Sequence, residues 1–347
     1  MAKENTTVAQ ESFYDREKIV QLLKSIMRKH QYHFIGESFA VKLCRWTKSA
    51  ILGEEFCYKC KFYGIESHRC IQMTPAALWC WNACIHCWRV RAQDLGLDFK
   101  ELVMPEYNED INSIVEEIVS LQRKLLSGYW GNPKANRKLL EEASNPKHVA
   151  ISLSGEPTLY RRLPELIRAF HRQGLTTFLV TRGVRPDVLE SLDELPTQTY
   201  LSVESYSKEM YEWLNKPLVP RAWELTWRSI KVLREYNRPT ALRITLIKEV
   251  NMSEKAIEGF KKIVEDMQPT FIEVKAYMHV GMSVHRLSKR NMPSYEDVFE
   301  FSKKLSKTTG YPIRSASRPS RVVLLSMLEK PIRYGRGCPE GWEFKEA

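Results

Sequence analysis

Residues 148–181, "HVAISLSGEPTLYRRLPELIRAFHRQGLTTFLVT", hold one complete structural repeat. A short β-rich run (148–154) leads through a Ser-Gly-Glu-Pro loop into a segment (162–174) whose apolar residues recur at helical spacing. Gly174 sits where that helix should stop, and a second β-rich run follows over 175–181. Strand, helix and strand in this order make a βαβ unit, which sets the two strands parallel in one sheet.

The same rhythm extends in both directions. Further β-rich runs lie at 197–204, 241–247 and 270–278, and "IQMTPAALW" (71–79) supplies a first strand. Amphipathic helical patterns occupy 111–126, 222–236 and 253–267. About six βα units result, enough for a partial or complete barrel or for an open doubly wound sheet. In a parallel barrel the chemistry sits at the C-terminal ends of the strands. Two segments fall there: a cysteine stretch after the first strand and "SGEPT" (154–158) after the second. Before the repeat come a charged helical lead-in (to about residue 35) and an irregular, cysteine-bearing stretch (36–77). After it, 291–347 holds a helix, a strand-like "RVVLLSML" and "RYGRGCPEGW". The chain thus divides into 1–77, a core of 78–290 and a C-terminal extension of 291–347.

The 347 residues are 43% hydrophobic and 27% charged, the proportions of a soluble globular protein. No long uncharged apolar run and no h-region are seen, so neither a membrane span nor secretion is expected, and a cytoplasmic address follows. The net charge of +11 suits a polyanionic partner as well as it suits a merely solvated basic surface. Seven of the eight cysteines lie between Cys44 and Cys87. In a chain without an export signal, such clustering points to metal or to chemistry rather than to disulfides.

The cysteine stretch reads "LWCWNACIHCWRV" (78–90), with thiols at Cys80, Cys84 and Cys87. Three thiols are one short of closing a structural zinc site, and His86 directly precedes Cys87, a poor position for a fourth ligand. A [4Fe–4S] cluster with one free iron is the better chemical fit, and a free iron invites a small chelating ligand such as S-adenosylmethionine. A structural zinc or a chance cluster is the bland alternative. The Cys-x3-Cys-x2-Cys spacing resembles that of the radical SAM superfamily, which implies an α/β partial TIM barrel, (βα)6-like, with a cysteine-rich N-terminal extension and a C-terminal one. Ser154, Gly155 and Glu156 then resemble the Gly-Gly-Glu-type motif that meets the amino group of S-adenosylmethionine. "VTRG" (180–183) aligns with a segment often reading Thr-Asn-Gly, and Arg182 in place of Asn is given no side-chain role. Ser202 and Glu204, at the end of the fourth strand, are placed to reach the ribose or simply to meet solvent.

Upstream, Cys44, Cys57 and Cys70 are evenly spaced, with Cys60 as an extra. They fit either a second iron–sulfur cluster or, with Cys60, a four-cysteine zinc site. The ordered set of six cysteines, with "CYKCKFYGIESHRCIQMTPA" in its middle and "EVKAYMHVG" (273–281) later, resembles the wyosine-biosynthesis radical SAM enzymes of tRNA in their archaeal form. That resemblance implies two [4Fe–4S] clusters, on Cys44, Cys57 and Cys70 and on Cys80, Cys84 and Cys87, the latter with S-adenosylmethionine at its open iron. It also implies tRNA-Phe bearing 1-methylguanosine next to the anticodon as substrate. Pyruvate is the co-substrate, and the tricyclic 4-demethylwyosine is the product. Lys59 then forms a Schiff base with the keto acid, a role open to a lysine whose amine is partly deprotonated. An external one-electron donor, a monomeric enzyme and no membrane partner are expected. A radical enzyme acting on another, non-RNA substrate, with zinc upstream, is the alternative.

A base in a folded anticodon loop must be splayed out to reach a buried radical, and single strands are read by aromatic stacking and basic contacts. Trp79, Trp81 and Trp88 surround the cluster loop. Trp130 sits in a glycine-bearing basic loop (127–138), and 285–291 and 314–321 are the other basic candidates.

Overall fold

The chain enters through helix α1 (Ala2–Lys29) and a hairpin of β1 (His33–Ile35) and β2 (Phe39–Val41), followed by two short helices, α2 (Arg45–Ile51) and α3 (Tyr58–Tyr63). Six parallel strands then follow: β3 (Cys70–Thr74), β4 (His148–Ile151), β5 (Thr176–Thr181), β6 (Gln198–Val203), β7 (Thr240–Leu246) and β8 (Phe271–Ala276). Between them run α4 (Ile111–Leu126), α5 (Arg137–Ala143), α6 (Leu163–Arg172), α7 (Pro186–Glu190), α8 (Lys208–Asn215), α9 (Ala222–Arg234) and α10 (Glu254–Met267). The chain ends in α11 (Tyr295–Thr309), β9 (Ile313–Ser317) and β10 (Val322–Leu325). This computed structural model describes residues 2–97 and 103–338, and over 2–15 only the backbone course; residues 339–342 of "RYGRGCPEGW" and the rest of the C-terminal extension lie outside it.

Among the described residues the strands form one sheet in the order β1-β2-β3-β4-β5-β6-β7-β8-β10-β9. The parallel strands follow one another in chain order, as βαβ crossovers demand. The antiparallel edges differ from the sequence expectation, which held no hairpin at 33–41 and no pairing of the tail with β8. The first parallel strand is also shorter than expected. It stops at Thr74, because Pro75 has no N–H to give to a ladder.

Strand residues alternate between two destinations. One parity (Ile71, Met73, Val149, Ile151, Leu179, Leu201, Leu242, Ile244, Ile272, Val274) packs outward under α4, α6, α9, α10 and α11 and forms the main apolar core. The other parity points into the barrel and is itself divided by height. At the N-terminal ends of the strands, Phe178, Tyr200, Ala241 and Phe271 pack on Tyr58, Phe62 and Tyr63 of α3 and on Tyr334, so the floor is apolar and plugged. Toward the C-terminal ends the inward row turns polar and opens into a cavity. The helices carry the caps their sequences offer: Asp110 accepts from Ser113 N before α4, and Ser253 from Ala256 N before α10.

Candidate active site at the barrel mouth

The cavity has a volume of about 520 Å³ and lies over the C-terminal ends of the parallel strands. Its wall carries Gln72, Ser152, Val180, Ser202, Thr245 and Lys275, one inward residue from each strand of the barrel or just beyond its end. The loop after β3 covers it with Cys80, Cys84 and Cys87.

Burial pushes the Cys84 thiol up to about 11 and that of Cys80 higher still, and Cys80 feels both Cys84 and Cys87. Three mutually close thiols, Cys84 buried and Cys80 and Cys87 half-buried, without disulfide partners, are a donor set that fits a cluster. Asn215 Nδ2 approaches Cys84 Sγ at 3.5 Å. Two arginines hold the loop by its carbonyls. Arg91 donates to the oxygens of Ala83 and Cys84, and Arg286 to those of Ile85 (2.9 Å) and Cys87, while Asp94 ties the two guanidinium groups together. Trp79 is fully buried beneath this loop, whereas Trp88 is exposed at its rim between Lys42 and Arg89 (5.7 and 4.8 Å from its ring centroid). Among the described residues no group of three or more His, Cys, Asp or Glu side chains closes on a single ion.

The Ser-Gly-Glu-Pro loop reaches the cavity with Ser154 and Gly155. Gly155 has φ +67°, and a Cβ there would stand 1.7 Å from Ala76 O and 2.6 Å from Trp79 O, so only glycine fits. Ser154 Oγ donates to Ala77 O at 2.8 Å. Glu156 turns inward instead: its carboxylate accepts from Thr158 Oγ1 (2.8 Å), Thr181 Oγ1 (2.7 Å) and Arg182 N (3.0 Å). Its side chain therefore fixes the loop against β5.

Arg182, which the sequence reading left without a role, pairs with Glu204 and lies 2.9 Å from His86 Nε2. Burial alone would raise the Glu204 carboxyl, but Arg182 and His86 hold it well below the carboxylate range. Burial lowers His86. Ser202 stands one inward step below Glu204 on the same wall.

Deeper in the barrel, α3 brings up the second set. Cys44 and Cys57 precede α2 and α3, and Cys70 opens β3. The three interact with one another; burial raises Cys57 to about 11 and Cys70 to about 12. Cys60 faces away from them and is disulfide-bonded to Cys338, with Cα atoms 5.3 Å apart. Lys59 points into the barrel, its Nζ 4.4 Å from the ring centroid of Tyr200 and 5.4 Å from that of Phe178. Burial, and then the charge of Arg243, lower Lys59 below an ordinary lysine. Glu273 accepts from Tyr58 Oη (2.9 Å), Tyr63 Oη (2.7 Å) and Arg243 Nε (2.8 Å).

Two family models divide this architecture between them: one described as the radical SAM superfamily matches residues 75–259, and one described as wyosine base formation matches 266–327. An S-adenosyl-L-methionine-dependent tRNA 4-demethylwyosine synthase of Pyrococcus abyssi is 45% identical over 305 residues, 87% of each chain. The Methanocaldococcus jannaschii relative of the same name is 40% identical over 90% of this chain and 98% of its own. The chain belongs to the S-adenosyl-L-methionine-dependent tRNA 4-demethylwyosine synthases. A solved TYW1 with a lysine–pyruvate adduct bound superposes with a TM-score of 0.79 at 37% identity, over 91% of this chain and 98% of that one.

Membership in the demethylwyosine synthases makes this a tRNA-modifying radical SAM enzyme, and the family implies a [4Fe–4S] cluster and S-adenosylmethionine. Its partial barrel is the expected fold. Among the described residues no helix is long and apolar enough to cross a membrane. The residues that sequence reasoning missed in the synthase are cations: Arg91 and Arg286 under the cluster loop, Arg182 beside Glu204, and Arg243 and Lys275 in the barrel. Of the candidate RNA contacts, Trp88 stands at the cavity mouth, Trp130 is exposed beside Arg137, and Arg318 of the 314–321 run pairs with Glu296.

Proposed function

We propose that the chain converts 1-methylguanosine next to the anticodon of tRNA-Phe into 4-demethylwyosine, with pyruvate supplying two carbons, one that closes the third ring with the N1 methyl carbon and one that remains as its methyl substituent. The observation that carries this reading is Lys59, an inward-pointing amine placed on the Tyr200 ring beside the thiols of Cys57 and Cys70. Its family supports it: a relative's solved structure holds a lysine–pyruvate adduct.

Cys80, Cys84 and Cys87 would hold the family's cluster, and Cys44, Cys57 and Cys70 a second [4Fe–4S] cluster. With S-adenosylmethionine bound, the first supplies one-electron chemistry that ends in hydrogen abstraction from the methyl group of the base. The remaining steps belong to the protein's own side chains. Ser154 and Gly155 present backbone to the amino group of the cofactor, braced by Glu156. Ser202 and the ionised Glu204, held by Arg182, take its ribose hydroxyls. Lys59, whose amine burial lowers below an ordinary lysine, adds through Nζ to the keto carbon of pyruvate. Loss of water then leaves an imine whose carbon accepts the methyl-derived radical; the bond to the carboxyl group then breaks, that group leaving with the unpaired electron, and the imine so restored passes to the exocyclic amine of the base, which frees Lys59.

Residues 1–77 thus serve the keto acid, 78–290 the radical chemistry, and 291–347 close the sheet. The synthase acts in the cytoplasm as a monomer, with an external one-electron donor. The test is anaerobic incubation with 1-methylguanosine-containing tRNA, pyruvate and a reductant, followed by nucleoside mass spectrometry. The tricyclic base is expected with wild type and not with Lys59→Ala, which should still cleave S-adenosylmethionine uncoupled. Full product from Lys59→Ala would overturn the assignment. About eight irons per chain are expected for two cubanes, against about four for one.

A further inference from the structure

Many surface cations of this chain are paired, as Lys208 is with Glu224, Arg228 with Glu190 and Lys248 with Asp297. One group is not. Lys42, Arg45 and Lys48 line a groove of about 720 Å³ along α2, and among the described residues none of the three has a carboxylate partner. Lys48 Nζ donates to Gln31 Oε1 (2.9 Å), and the Arg45 guanidinium lies 5.5 Å from the ring centroid of Trp46. The Lys42 ammonium lies over two rings, those of Tyr32 (5.0 Å) and Trp88 (5.7 Å). Glu54 and Glu55, beyond the end of α2, are the carboxylates of the groove; Glu54 accepts from Ser49 Oγ at 3.3 Å.

This groove shares no lining residue with the cavity at the barrel mouth, yet it adjoins both thiol sets. Leu43 in its lining precedes Cys44, the N-cap of α2. Burial and then the charges of Lys48 and Arg89 lower Lys42, against the opposite pull of the Cys44 thiol. On the other side, Trp88 directly follows Cys87. Burial raises the Tyr32 phenol, Arg89 acts to lower it, and the Cys87 thiol adds to the rise. Unpaired cations grouped on a surface draw an oppositely charged macromolecule and set its rate of approach. An RNA base must enter the cavity, which this groove does not share. Nearness to both thiol sets matters instead to an electron, and redox proteins meet through small, transient contacts.

We propose that the groove of Lys42, Arg45 and Lys48 docks an acidic one-electron carrier protein, which reduces the iron–sulfur sites from the side and leaves the mouth to the RNA. This rests on the reading of the two thiol sets given above and adds where the external donor meets the chain. The carrier's centre is oxidised by one electron and the iron–sulfur site is reduced by one; no bond or proton moves.

The experiment mixes full-length, cluster-loaded protein with a reduced acidic [2Fe–2S] ferredoxin in the absence of oxygen and follows loss of the ferredoxin's EPR signal by freeze-quench. The wild-type rate should fall as salt rises. Lys42→Glu combined with Lys48→Glu should slow it tenfold or more at low salt and remove the salt dependence, and Lys48→Glu alone should act in the same direction. Photoreduced deazariboflavin, a small uncharged reductant, should reduce every variant within twofold of wild type, which also shows them folded and loaded. Affinity for tRNA should stay within twofold. Carbodiimide should cross-link ferredoxin carboxylates to peptides holding Lys42 or Lys48. Three outcomes overturn the docking surface and leave the cluster reading standing: unchanged ferredoxin rates in the double variant, wild type reduced by deazariboflavin alone, or a loss of tRNA affinity as large as the loss of rate, which assigns the groove to RNA. Failure of deazariboflavin to reduce wild type removes the clusters, and the docking surface with them.

Discussion

Arg243 and Glu273 face each other across the β7–β8 register, joined at 2.8 Å inside the barrel, where Glu273 has no exposure. Burial raises the Glu273 carboxyl, and the charges of Arg243 and Lys59 more than reverse this, so it stays ionised. The two phenols that also serve it, Tyr58 and Tyr63, belong to α3, the helix that carries Lys59. The ion pair therefore fastens α3, and Lys59 with it, to the sheet.

Removing one member of such a pair leaves the other charge buried alone, at a cost of about 3–5 kcal/mol. Glu273→Gln should lower the melting temperature by several degrees and reduce keto-acid trapping on Lys59. Glu273→Gln combined with Arg243→Met should be less destabilised than the sum of the single changes. Thermal melts of the four proteins form the double-mutant cycle; strict additivity would show that the pair is not coupled.

Arg182 and Glu204 form a second inward pair, this one at the mouth. Arg182 also lies close enough to influence the Cys84 thiol. Arg182→Met should weaken S-adenosylmethionine binding tenfold or more by releasing Glu204 and His86 from their geometry. Pyruvate trapping deep in the barrel should hold near wild type. Equal losses of both would mean the substitution acts through folding instead.

These pairs also show where sequence reading reaches its limit. The helices at 111–126 and 253–267 and the alternation of strands are legible because their outward faces obey simple periods, and the two cysteine sets because spacing is covalent. "TFIEVKAYM" misleads: Glu273 and Lys275 alternate with apolar residues as a solvent-facing row would, yet the curved sheet of the partial barrel turns that row inward. Arg286 reaches the cluster loop from about 200 positions away, with nothing local to mark it. The Cys60–Cys338 bond spans 278 residues, a pairing that no spacing rule could specify.

Gly155 offers a test of the loop by backbone alone. An alanine there would need both a left-handed φ and space that Ala76 O and Trp79 O already occupy. The left-handed strain costs on the order of 1 kcal/mol, and displacing buried carbonyls adds more. Gly155→Ala should therefore fail to load its mouth cluster, seen as loss of about half the iron. Gly174→Ala, also at positive φ but with nothing near its Cβ, should load normally and lose only a little stability.

His148 carries a pH dependence whose direction follows from its contacts. It is fully buried on β4, accepts from Glu66 N through Nε2 (3.2 Å), and meets Thr176 Oγ1 through Nδ1 (2.7 Å). A second proton would break the Glu66 contact, and burial lowers the group from 6.5 to about 4. Between these values the unfolded chain holds a proton that the folded one refuses. Its contribution is complete above about pH 6.5 and fades as pH falls toward about 4, by on the order of 3 kcal/mol. Denaturant melts from pH 4 to pH 7 should show stability rising with pH across this window, and His148→Gln should flatten that slope. An unchanged slope in the variant would place the dependence elsewhere, with His68, also lowered by burial, the next residue to replace.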